Sequence, residues 1–111
     1  MRSILATTLA LSLSAGAFIA GCNTPGSICQ RMVDAIDAMY TRCGFALQVQ
    51  IRIAGTPSDC GHVGRVNNPN QLLNTCIPWA QNVDCADLVL DGEGHPILDP
   101  SCDFGLLEGR P

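Results

Sequence analysis

Seven cysteines, at positions 22, 29, 43, 60, 76, 85 and 102, fall within the last 90 of the chain's 111 residues, and they constrain the fold more than any other feature. A segment of that length buries only about 60–65% of the surface its unfolded form exposes, so a hydrophobic core alone leaves it marginal. Small exported domains make up the deficit with disulfides, which persist only in an oxidising compartment. Whether these cysteines are bridges or something else therefore turns on whether the chain is exported.

The amino terminus bears on that question. Arg2 supplies one positive charge, and Ile4 to Ile19 form an apolar run interrupted only by small residues such as Thr7, Thr8, Ser12, Ser14 and Gly16. This is the layout of a secretory signal peptide over residues 1–21. A retained membrane span, which needs about 20 strongly apolar residues, is the weaker reading. The run closes on Ile19-Ala20-Gly21-Cys22, an aliphatic residue, two small residues and a cysteine. These four residues resemble the lipobox of bacterial lipoproteins. The resemblance implies a diacylglyceryl thioether on Cys22, cleavage between Gly21 and Cys22, and acylation of the new amino terminus. Ordinary cleavage nearby, leaving a soluble protein, is the alternative. With Cys22 lipidated, six cysteines remain (Cys29, Cys43, Cys60, Cys76, Cys85 and Cys102), the even number that three disulfides require.

Charge excludes some partners. Beyond Cys22 there are ten carboxylates, five arginines (31, 42, 52, 65 and 110) and no lysine, a formal charge of 5 − 10 = −5. Nucleic-acid binding needs clustered cations that five scattered arginines do not supply, and a polybasic membrane contact is excluded on the same ground. The expected partner is a lipid bilayer, reached through the acyl anchor on Cys22; two or three chains hold a protein there essentially permanently. Asn23 follows the anchor. In many lipoproteins an aspartate at that place signals inner-membrane retention, so this resemblance implies a cell-envelope location in the outer rather than the inner membrane.

Periodicity then divides the chain. Residues 22–27 form a short polar tether. From there Ile28, Cys29, Met32, Val33, Ile36, Met39, Tyr40 and Cys43 follow helical spacing, with Ser27 as N-cap, Gly44 as stop, and Arg31, Asp34 and Asp37 on the solvated face. Leu47 to Ile53 alternates like a half-buried strand but has no convincing partner beyond a weak candidate at Asp87 to Leu90, so a helical or extended connector stays open. Thr56-Pro57 reads as the start of a short helix through Cys60 and Val63, and Asn68-Pro69-Asn70-Gln71 as a second start, with Pro78 kinking or ending that helix near Trp79 to Gln81. Asp84 caps a last short helix over Cys85 to Leu90, Asp91 to Pro96 is turn and loop, and residues 103–111 form a loosely ordered tail. The expected fold is mainly α: a disulfide-stapled domain of three to four short helices over 28–102, with at most one short extended segment.

The lipobox, Ile28-Cys29 opening a helix that ends in Cys43, Asp59-Cys60, Leu73-Asn-Thr-Cys76, Asp84-Cys85-Ala-Asp-Leu88 and Pro100-Ser-Cys102 together resemble the small cysteine-rich lipoproteins of myxobacteria and their relatives. That resemblance implies an architecture without an activity. Further cysteines common there, after the segment matching Cys60 and beyond Cys102, are absent here, so no bridge pattern transfers.

No catalytic motif is evident: there is no Gly-x-Ser-x-Gly turn and no Cys-x-x-Cys pair. Cys60, His62, Cys76, Cys85, His95 and Cys102 are potential zinc ligands with poor spacing, and Asp91, Glu93 and Asp99 lack the regular spacing of a calcium loop. Neither a cofactor nor a metal is expected, and Trp79, the sole tryptophan, reads as core rather than as a partner's anchor. The function expected is a structural or binding role at the cell envelope, not an enzyme, with a small exported enzyme or a Cys/His metal-binding protein as the alternative. Helix geometry also limits the bridges. Cys29 and Cys43 lie fourteen residues apart on one helix, hence about 21 Å, beyond the roughly 7 Å a bridge spans. Of the pairings left, Cys76–Cys85, Cys43–Cys60 and Cys29–Cys102 is the first choice.

Overall fold

A computed structural model describes residues 23–111; the expected signal peptide and lipidation at Cys22 lie outside the described residues. Helix α1 (Pro25–Arg42) buries Ile28, Cys29, Met32, Ala35, Ile36, Met39 and Tyr40 along one side, as their three- and four-residue spacing demands. Its N-cap is Thr24 rather than Ser27: the Thr24 hydroxyl accepts from the Ser27 N–H at 3.2 Å. Pro25 takes the first helical position, where an N–H would lack an intrahelical partner anyway. At the far end Gly44, at φ +81, lets its own N–H reach the Thr41 carbonyl and that of Phe45 the Tyr40 carbonyl. The Tyr40 and Phe45 rings close this cap edge to face at 6.4 Å.

Residues 45–53 alternate between half-buried or buried and exposed, yet only Ile51–Ile53 becomes a strand, β1. The rest lies extended, with the Val49 N–H donating to Asp37 Oδ1 at 2.8 Å, so Asp37 is half-buried rather than part of a solvated face. The partner of β1 is the segment expected to begin a helix: Thr56–Ser58 is strand β2, antiparallel to β1. Ala54 and Gly55, at φ 53 and 79, make the two-residue turn between them. Pro57 sits opposite Arg52, one pair beyond the turn, where a ladder needs no N–H.

A 3-10 turn, Cys60–His62, leads into β3 (Val63–Val66). The expectation of a loosely ordered tail is corrected here, because Leu107–Gly109 forms β4, antiparallel to β3. Asp103 starts that return by accepting from the Gly105 N–H at 2.8 Å, and Asn67 donates to Glu108 across the sheet. The register shifts between Val63 and Arg65, a bulge at Gly64, whose missing side chain leaves room for Arg110.

Helix α2 (69–82) starts where Asn68-Pro69 predicts, but Asn68 is left-handed at φ 52 and makes no side-chain cap. Nor does Pro78 end it. A π-helical turn, Leu72–Cys76, precedes the proline, with the Ile77 N–H reaching the Leu72 carbonyl, and helix continues to Asn82. Both helices finish at the same end: Arg42 on α1 donates to the carbonyls of Ala80, Gln81 and Val83, the last at 2.8 Å, terminating α2 with a cation.

The expected mainly α fold of three to four helices is therefore wrong. Among the described residues the fold is mixed α/β, with two helices and two small antiparallel sheets. The segments 56–63 and 85–90 are too short to bury a helical face; one satisfies its backbone in strands, and the other shrinks to a single 3-10 turn, Cys85–Asp87, capped by Asp84 as expected. Three disulfides, Cys29–Cys60, Cys43–Cys85 and Cys76–Cys102, join these parts at Cα separations of 5.5, 5.4 and 4.8 Å. None of the three first-choice pairings occurs. They assumed local clasps, whereas the alignment of α2 on α1 buries Cys76 and carries the chain past the end of α1, where Cys85 meets Cys43. Cys29 and Cys43, at opposite ends of α1, have different partners. No helix among the described residues is long and apolar enough to cross a membrane.

Candidate functional site

Between Cys85 and Cys102 the chain makes a β-hairpin, where the sequence predicts a short helix to Leu90 followed by turn and loop. Leu90 bridges Pro96 in antiparallel fashion, the Ile97 N–H reaches the Val89 carbonyl at 2.7 Å, and the Asp91 N–H reaches that of His95 at 2.8 Å. The tip is built by Asp91: its carboxylate accepts from the N–H groups of Glu93 and His95, at 2.8 and 3.0 Å. These bonds hold its pKa below the usual carboxylate value, the His95 N–H contributing most. Gly94 takes the left-handed position, φ +80, that a three-residue hairpin loop of this type requires.

The two arms alternate in their exposure. Pro96 is buried, and half-buried Leu88 and Leu98 pack against the core, whereas Val89 and Ile97 are 66% and 52% exposed and Leu90 is 50% exposed. These three are the large apolar residues that the described surface leaves most open. A groove of about 230 Å³ runs beside Val89 and Ile97, lined also by Trp79, Leu88, Asp87 and Asp99 among others. Trp79 packs partly on the core and partly along this groove, so it is more accessible than the expected core residue. The signal for this site was present as Leu88-Val-Leu90 and Ile97-Leu98 flanking a glycine-rich turn, two short apolar arms that were not read as a pair.

Of the other sequence candidates, only Asp91, Glu93 and His95 are drawn together among the described residues. All six cysteines beyond Cys22 are in bridges, so none is a thiol ligand. His62 pairs instead with Asp59, Nδ1 to Oδ1 at 2.9 Å, on an exposed turn, and this hydrogen bond lowers the Asp59 pKa. Asp91, Glu93 and His95 bring ligand atoms within 4.8 Å of one another, all exposed, while Asp99 accepts instead from the Ser101 N–H and hydroxyl. Compared with protein-family models, curated proteins and solved structures, the chain matches none.

Proposed function

We propose that this protein is a lipid-anchored binding module of the bacterial cell envelope, held in the outer membrane through Cys22 and presenting the 88–98 hairpin to a partner. The observation that carries this reading is the open apolar face of Val89 and Ile97 beside the Trp79 groove, on a hairpin held from below by Cys43–Cys85 and Cys76–Cys102. Solvent-exposed apolar side chains on a rigid frame are what a docking surface needs and what a purely structural domain has no use for. The anchor rests on the Ile19-Ala20-Gly21-Cys22 resemblance and on the even count of six remaining cysteines. The reading is of a binding protein rather than an enzyme; the Asp59–His62 pair, with both side chains about 70% exposed, lacks the desolvation that tunes a catalytic base.

Two measurements test it. Intact-mass analysis should find a mature chain beginning at acylated Cys22, and Cys22→Ala should leave the membrane fraction while keeping its fold; an unmodified terminus at any other residue refutes the anchor, and recovery only with the inner membrane refutes the location. A photo-crosslinking residue at Val89 in native cells should give one discrete adduct that the same residue at exposed Gln48 does not give. Identical patterns from both positions would refute the docking surface.

A further inference from the structure

We propose that the hairpin face binds a cationic protein segment in which apolar side chains alternate with arginine or lysine. The inference rests on the docking reading above and adds the chemistry of the partner. Charge carries it. From Asp84 to Asp99 the chain holds five carboxylates (84, 87, 91, 93 and 99) and neither lysine nor arginine, half of all ten carboxylates in sixteen residues. Two of them, Asp87 and Asp99, line the groove itself beside Trp79, Val89 and Ile97. An apolar strip edged by carboxylates without a neutralising cation repels an acidic partner and an anionic bilayer, and attracts a basic segment that can bury apolar groups on the strip.

Position and backbone chemistry favour a polypeptide over a membrane. The tether enters at Thr24, at the start of α1, while the hairpin is rooted through Cys43–Cys85 at the other end of a helix of 18 residues, about 27 Å away. Leu90 and Pro96 form a pair without mutual hydrogen bonds, so the N–H and carbonyl of Leu90 face the open edge. A peptide main chain can pair there. Pro96 offers no N–H on the opposite edge, which leaves a single side for strand addition. The groove, about 230 Å³, accepts one large side chain against the tryptophan.

The sole tryptophan makes the test direct. The full lipidated protein, reconstituted in phosphatidylcholine vesicles, is titrated with a synthetic peptide of alternating leucine and arginine while Trp79 emission is followed. Binding should shift the emission and weaken by at least about tenfold between about 50 and about 500 mM salt. Asp87→Asn with Glu93→Gln should flatten that salt dependence, and Val89→Ser with Ile97→Ser should weaken binding at every salt concentration. An equal response to a leucine–glutamate peptide, salt-independent binding, or a Trp79 shift on moving the protein alone into phosphatidylglycerol vesicles would overturn the proposal. No response to the cationic peptide, with the Val89 crosslink still formed, overturns the partner's chemistry and leaves the docking surface standing; loss of both overturns both.

Discussion

Removing one bridge at a time separates two sources of stability that this fold ranks in opposite order. The Cys29–Cys60, Cys43–Cys85 and Cys76–Cys102 bridges close loops of 31, 42 and 26 residues. Restriction of the unfolded chain then assigns them about 3.7, 3.9 and 3.5 kcal/mol, the longest loop contributing most. Packing reverses that order. Cys76 is fully buried and Cys102 is 6% exposed, whereas Cys43 is half-buried and Cys85 exposed. Deleting a buried sulfur leaves a void worth about 1 kcal/mol, and deleting an exposed one leaves almost none. Cys76→Ala with Cys102→Ala should therefore cost about 5–6 kcal/mol, and Cys43→Ala with Cys85→Ala about 4 kcal/mol. Urea unfolding followed by far-ultraviolet circular dichroism measures the difference, about 1 M in midpoint for a domain of this size. A Cys43–Cys85 variant as unstable as the Cys76–Cys102 variant, or more so, would show that loop entropy alone sets the ranking and that the buried sulfurs contribute no packing.

Digestion with trypsin without reduction should yield the segment ending at Arg31 linked to 53–65, and 43–52 linked to 66–111, since trypsin does not cut the Arg110–Pro111 bond; a Cys29–Cys43 linked peptide would contradict both the bridges and α1. Gly64→Ala would set a Cβ 2.8 Å from Arg110 Cγ and 3.0 Å from its Cα, so β4 should detach and the amides of Leu107 to Gly109 should exchange faster, with α1 protected as before. Asp91 has a folded pKa below its unfolded value, so its contribution is present above the unfolded pKa and is lost as pH falls through the folded one. Amide exchange at Glu93 and His95, corrected for its intrinsic pH dependence, should rise across that acidic window, and Asp91→Ala should abolish the change. Arg42→Ala, which strips three carbonyls at the end of α2 of a charged donor, should cost about 1–2 kcal/mol in the same urea assay.

Helix α1 was legible because one element carries its signal, the stripe from Ile28 to Tyr40 and a stopping glycine, although Thr24 caps it three residues before the expected Ser27. The alternation from Leu47 to Ile53 also showed, but with its partner hidden it left a connector as an open alternative. Thr56-Pro57 has the composition of a helix start, and only the left-handed pair Ala54-Gly55, a poor match to the usual asparagine–glycine turn, turns it into a strand. Strand β4 lies more than forty residues from β3 and pairs through backbone atoms, which leave no periodic trace in so short a segment. The bridges failed for a related reason, since sequence proximity suggested clasps where helix-on-helix alignment decided the partners. The hairpin site was half legible: its turn residues were recognised, whereas the outward aspect of Val89 and Ile97 depends on Leu88, Pro96 and Leu98 taking the inner side.

The Cys43–Cys85 bridge has a mechanical consequence. Tension applied between residue 23 and the hairpin runs along α1 to Cys43, crosses to Cys85 and reaches Val89, a covalent path of 20 + 4 residues (43 − 23 and 89 − 85) rather than the 66 between them in sequence (89 − 23). Fully drawn out, that path is about 85 Å long, against about 230 Å for the unbridged chain. Both sheets, α2 and the returning tail lie off it and carry no tension while the bridge holds. A pull at the hairpin would stretch one helix and leave the rest of the fold slack.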